Sequence, residues 1–217
     1  MRTLNFNLHE LFNQQRRFRF PFAQQASEIP KNGIYVIFEN GEKFHRFDRI
    51  VRVGTHTGDG QLRSRLNQHF VKENKNRSIF RKNIGRCMLN EENSNYLDRW
   101  ELDTTSRADK ERNLKLLNLD FEKQLETKIS DYIQTNLSFC VFQVDTKEQR
   151  LFWESKIVST LAKSTQCKLT ENCLRLHSTR EKIRISGLWQ VNELYNDELT
   201  GQEFAGLRQL VLRQQSL

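Results

Sequence analysis

The sequence predicts a mixed α/β (α+β) fold: a small central antiparallel sheet of about three strands, flanked by helices, with insertions and a C-terminal extension. Two observations carry this. Short β-branched, apolar runs bounded by Asn-Gly and Gly stand at NGIYVIFEN (32–40), FDRIVRVG (47–54) and LSFCVFQV (137–144). Apolar residues recur every three or four positions around 60–70, 119–137 and 147–163, the period of an amphipathic helix. A chain of 217 residues buries a real core and is small enough to be one domain. The expected organisation is therefore a single domain over 1–217, with a basic, aromatic lead (1–31), an elaboration (71–136) and a C-terminal extension (164–217).

The lead ends at Pro30 and gives way to the first strand. That strand is expected to form a hairpin with 47–54, through a connection, EKFHR, too polar for the core. A glycine loop, GTHTGDG, follows and then a helix from about Gly60 to Phe70, with Leu62, Leu66 and Phe70 as its buried stripe. Arg65 and His69 stand four apart beside that stripe. The segment from Val71 to about Asp120 is mostly polar, with SIFRKNIG (78–85) as its packed stretch. Leu125, Ile129 and Ile133 mark the next helix, and KEQRLFWESKIVSTLAK (147–163) marks another behind the third strand. The tail carries a turn at Ser186–Gly187 and a last helical stretch, EFAGLRQLVLRQ. No internal repeat or low-complexity segment is present.

Lys plus Arg number 35 against 27 Asp plus Glu, a net charge of +8, which makes a polyanion the first partner to consider beside the alternative of a solvated basic surface. Cys87, Cys140, Cys167 and Cys173 form no C-x-x-C pair and lie apart from the five histidines, which argues against structural zinc. No apolar run is long enough to span a bilayer, and the N-terminus lacks a hydrophobic stretch before a small-residue cleavage site. A cytoplasmic chain with reduced thiols, and no membrane partner, is the expectation.

Glu154 falls within an apolar stripe formed with Leu151, Val158 and Leu161. A carboxylate there must be paired, hydrogen-bonded or bound to a cation, since burying it alone costs several kcal/mol. The plain alternative is a stripe-edge glutamate reaching water or a neighbouring Arg or Lys.

Gly33-Ile34-Tyr35, a strand ending Arg52-Val53-Gly54, Arg65 and His69 four apart on a helix, and Glu154 on a later helix together resemble the GIY-YIG nuclease family. The first of the family's two name-giving tripeptides is intact and the second reads RVG. SIFRKNIG and SGLWQVNEL are similar to a branch of the family with RVGTH in place of YIG. The resemblance covers about 32–70 and 137–163. It implies a catalytic set of Tyr35, Arg65, His69 and Glu154, with Arg52 in place of the second tyrosine. The family asparagine finds Gln166 at its usual distance; Asn172 is the candidate and Asn192 the reserve.

The chemistry agrees with the set. Tyr35 is a candidate general base if its neighbours lower its pKa. Arg65 is an always-charged fork for phosphate. Glu154 is the metal ligand, one carboxylate for a Mg²⁺ (or Mn²⁺) that keeps most of its waters. His69 would bond the phosphate or polarise the tyrosine, and Arg52, expected on a face with Ile50 and Gly54 opposite Val51 and Val53, would do the missing tyrosine's work by charge. Each has a bland rival: a strand aromatic, a solvated arginine, a capping histidine, a loop asparagine. His56 reads as a loop residue near the site. Arg16, Arg17, Arg63, Arg77, Arg81 and Lys82 are the expected DNA contacts, Phe18 and Phe20 being the core alternative for the lead.

The resulting expectation is a metal-dependent endonuclease cutting phosphodiester bonds in DNA, most simply double-stranded, with a homodimer left open. A stand-alone restriction or defence role fits a chain without the extra domains usual in homing and repair members. The alternatives are a non-catalytic DNA-binding module derived from such a nuclease, and a protein-interaction domain on the same scaffold.

Overall fold

The computed structural model describes residues 3–164 and 169–213, so Gln166 and Cys167 lie outside the described residues. Within the basic, aromatic lead stands helix α1 (Leu4–Asn13), capped by the Thr3 side chain, which accepts from the Phe6 amide. Leu8, Leu11 and Phe12 bury its inner face. A two-residue strand follows, β1 (Phe18–Arg19). Next come the long hairpin β2 (Gly33–Phe44) and β3 (Phe47–Gly54), then α2 (Leu62–Phe70) with Leu62, Leu66 and Phe70 buried as expected. Helices α3 (Ile79–Glu91), α4 (Leu97–Trp100), α5 (Arg107–Asn113) and α6 (Leu119–Asn136) precede β4 (Leu137–Gln143). After it come α7 (Lys147–Ala162), α8 (Glu181–Ser186) and α9 (Gly201–Leu212). No helix among the described residues is long and apolar enough to cross a membrane.

The sheet has four strands in the order β1-β4-β2-β3, every neighbouring pair antiparallel. The strand beyond the expected three comes from the basic lead: Phe18 is buried and stacks on Phe139 across the β1–β4 pair, while Phe20 stays exposed. Alternation along β2 sends Tyr35 and Ile37 to one apolar layer and Ile34, Val36 and Phe38 to the other. The first layer is completed by α2, α3 and α6 through Leu66, Phe70, Phe80, Ile84, Leu125 and Ile129. The polar elaboration is therefore a wall of the core. The second layer is completed by α1, α7 and α9.

Two hairpin expectations are corrected. EKFHR is a connection only in its last two residues: β2 runs to Phe44, with Glu42 and Phe44 buried, and His45–Arg46 make the exposed turn. Asn40–Gly41 is no turn; Gly41, at φ +84, lies in an irregular stretch where the β2–β3 register jumps from Phe38 to Lys43. The second correction concerns β3. Ile37 pairs with Arg52 but Phe38 pairs with Ile50, so Val51 is an extra residue and the strand bulges there. Val51 packs in the Tyr35 layer while Ile50 and Val53 pack together in the opposite one. A bulge re-aims side chains in this way, and it breaks the expected sharing of one face by Arg52 and Ile50.

Candidate active site

Tyr35 pairs directly with Gly54 across the hairpin, and its ring occupies the space above that glycine. A Cβ at Gly54 would come within 2.2 Å of the Tyr35 hydroxyl oxygen, so the last residue of RVG has to be glycine. The hydroxyl stands 2.9 Å from His69 Nε2, and His69 Nδ1 stands 2.7 Å from the Ser78 hydroxyl. His69 is fully buried. Desolvation, reinforced by the charges of Arg52, Arg65 and Arg81, holds its pKa well below the usual histidine range, so the ring is neutral. Arg65 and His69 therefore do not present side by side to a ligand: the histidine sits behind Tyr35. Of the two roles expected for it, contact with the tyrosine is the one this geometry permits.

Arg52 approaches Tyr35 from its other side. Its Nε donates to the hydroxyl at 3.4 Å and its Nη1 donates to the Trp189 carbonyl at 2.5 Å. The guanidinium carbon lies 5.1 Å from the Phe80 ring centre, which also meets His69 edge-on. The sequence reading missed how this shell is built. Ser78, Phe80 and Arg81 come from SIFRKNIG, and Arg81 Nη1 donates to the His69 carbonyl. Trp189 and Gln190 come from SGLWQVNEL; the Trp189 amide donates to the Val51 carbonyl and the Gln190 Oε1 accepts from the Val53 amide. The two segments singled out by resemblance thus meet at Arg52, where the Phe80 and Trp189 rings lie 6.2 Å apart.

Glu154 is partly buried on α7. Ile157, Val158 and Leu161 form the buried stripe, but Leu151 is 42% exposed and is not part of it. Burial pushes the Glu154 carboxyl up to about 7; Arg52 opposes this, the nearby Glu193 adds to it, and the Thr55 amide and Arg65 pull it back. Among the described residues no three His, Cys, Asp or Glu side chains are grouped to hold a metal. A lone, partly desolvated carboxylate fits a hard cation such as Mg²⁺ or Mn²⁺, which keeps several waters and takes oxygen ligands.

Arg65 borders a 360 Å³ cavity with Thr55, His56, Gln61, Ser64 and Gln68. Its Nη1 donates to Gln68 Oε1 and to the Arg77 carbonyl. His56 braces the glycine loop: Nε2 accepts from the Gly33 amide, leaving Nδ1–H to donate to the Gly58 carbonyl at 2.6 Å. Thr55 links the cavity to Glu154 through its amide and to β2 through a 2.7 Å bond from its hydroxyl to the Gly33 carbonyl.

The remaining expected residues divide. Asn172 is exposed, and Thr170, two residues before it, is tied to Glu42, seven positions along β2 from Tyr35. The structure does not bring Asn172 to the tyrosine. Asn192 lies between Gln190, bonded to Val53, and Glu193, whose charge reaches Glu154. Arg81 is not a surface cation: it is fully buried and paired with Glu126. Arg17 lies over the Phe38 ring and bonds Ser138 and Asn13. Arg63 donates to the Ile29 and Ser27 carbonyls, and Lys82 to the Glu101 carbonyl. Arg16 is exposed and paired with Glu28, and Arg77 is exposed.

No curated protein and no solved structure matches the chain. A family model described as GIY-YIG domain matches residues 3–216, and so spans the hairpin, α2, α7 and both segments that close on Arg52. The chain belongs to the GIY-YIG domain family.

Proposed function

We propose that this protein is a divalent-metal-dependent DNA endonuclease of one domain, acting in restriction or defence, with Tyr35, Arg52, Arg65, His69 and Glu154 as its site. The observation that carries this reading is the meeting of Arg52 Nε and His69 at one tyrosine oxygen, with Glu154 within electrostatic reach of Arg52 and Arg65. In this account Tyr35, its own proton first released to solvent, takes the proton of the attacking water as the phenolate. Arg52 and His69 support negative charge on the tyrosine oxygen, and Arg65 faces the nonbridging phosphate oxygens. A cation held by Glu154 would supply charge stabilisation at the leaving oxygen. Asn192, two residues from Gln190, is the asparagine assigned to the site in this reading. Double-stranded DNA is the substrate of first choice, with Arg77 and Arg16 among its surface contacts.

A second reading has its own support. Tyr35 is only 1% exposed and the second family tyrosine is replaced by Arg52, as in a non-catalytic DNA-binding descendant of a nuclease. Supercoiled plasmid incubated with Mg²⁺, and in parallel with EDTA, separates the two. Metal-dependent nicking or linearisation supports the enzyme, and binding without cleavage supports the descendant.

A further inference from the structure

His69 is neutral and so carries one ring proton, and the partner of its far nitrogen decides which end of the ring holds it. That partner is Ser78, the residue that caps α3. Its hydroxyl oxygen accepts from the Arg81 amide at 3.3 Å, and the side chain is fully buried. Its second bond, at 2.7 Å, is to His69 Nδ1. A buried hydroxyl proton without an acceptor costs about 1 to 3 kcal/mol, and the acceptor in place is the Nδ1 lone pair.

We propose that Ser78 is a positioning residue that donates to His69 Nδ1 and holds the ring as its Nε2–H tautomer, so that His69 gives a hydrogen bond to the Tyr35 oxygen and does not receive one. The tyrosine oxygen then faces two N–H donors, His69 Nε2 and Arg52 Nε. That arrangement leaves the tyrosine's own proton no protein acceptor and suits an oxygen that has released it to solvent and carries negative charge, the form that a base must take. With the opposite tautomer the imidazole lone pair would take the tyrosine proton in a hydrogen bond and tie it to the ring. Arg81, expected to touch DNA, instead supports this device: its amide occupies the Ser78 oxygen and its guanidinium holds the His69 carbonyl.

The catalytic consequence rests on the nuclease reading, but the tautomer does not, and each has its own measurement. Nitrogen-15 NMR of the His69 ring in the metal-free protein is expected to show a protonated Nε2 and an unprotonated Nδ1; the reverse pattern overturns the proposal. Ser78→Gly removes the hydroxyl while largely sparing the helix cap. It is expected to bring in the Nδ1–H form and to lower kcat roughly ten- to hundred-fold, with KM for DNA within about twofold. Ser78→Thr, which keeps hydroxyl and cap, is expected to restore the wild-type ring pattern and most of the rate. Should Ser78→Gly fail to fold, Ser78→Ala serves the same comparison. A folded variant lacking the hydroxyl whose His69 ring is unchanged overturns the proposal, whether or not the wild type cleaves DNA.

Discussion

Arg52 Nε lies 3.4 Å from the Tyr35 hydroxyl oxygen, so the cation that replaces the family's second tyrosine is in contact with the first. The bulge at Val51 and the Trp189 carbonyl hold it there. Arg52→Ala is expected to lower cleavage by about 10² to 10³, the loss that follows removal of one charge-stabilising donor. Arg52→Lys should recover part of this through charge without the planar fork. Equal rates for the alanine variant and the wild type, compared at saturating DNA, would remove Arg52 from the mechanism.

Tyr35→Phe keeps the ring over Gly54 and deletes only the hydroxyl. The rate should fall by roughly 10² to 10⁴, the share that general base catalysis supplies. Two N–H donors lose their acceptor, so a stability loss of about 1 to 3 kcal/mol should accompany it in urea unfolding. A folded variant that cuts normally would place the base elsewhere.

Glu154 gives a pH signature without any substrate. Its carboxyl ionises at about 7 in the fold, against an ordinary value of 4.5. Below pH 4.5 both folded and unfolded chains hold the proton and the residue is neutral to stability. Between 4.5 and 7 the unfolded chain releases it first, so stability falls as pH rises, and above 7 the whole cost is present. In metal-free buffer, Glu154→Gln should match the wild type near pH 4 and exceed its stability at pH 8 by up to about 3 kcal/mol. Mg²⁺ should raise the melting temperature of the wild type and leave that of the variant unmoved. Equal stabilities at pH 8 would contradict the desolvated carboxylate.

Arg81 and Arg77, four residues apart, should fail in different ways. Arg81→Ala strands the Glu126 carboxylate and should cost about 3 to 5 kcal/mol in denaturant unfolding. Arg77→Ala should leave stability alone and reduce the salt dependence of DNA binding by about one counterion. An Arg77→Ala slope equal to that of the wild type would place the DNA elsewhere.

What could be read from the sequence was what local period encodes: the β2–β3 hairpin followed from two apolar runs and the α2 stripe from Leu62, Leu66 and Phe70. Motif order named Tyr35, Arg52, Arg65, His69 and Glu154, of which the fold brings Arg52 and His69 to the Tyr35 oxygen. What escaped depends on contacts far apart in the chain. The bulge at Val51 adds a residue that alternation cannot register, so Arg52 was placed on a face with Ile50. Trp189 serves Arg52 through a backbone carbonyl 137 positions away, which no side-chain pattern announces. Arg81 looked like every other surface cation because burial of charge is decided by its partner, Glu126, 45 positions on. Helix α1 hid its Leu8, Leu11 and Phe12 among polar neighbours, Asn5, Asn7, His9 and Glu10.

Cleavage of supercoiled plasmid by the wild type, with Mg²⁺ and with EDTA, beside Arg52→Ala, tests the central claim that the RVG form of the site is a working one. The account predicts nicked or linear product from the wild type with Mg²⁺, none with EDTA, and little from Arg52→Ala. A wild-type protein that binds the plasmid and leaves it intact under both Mg²⁺ and Mn²⁺ would contradict it.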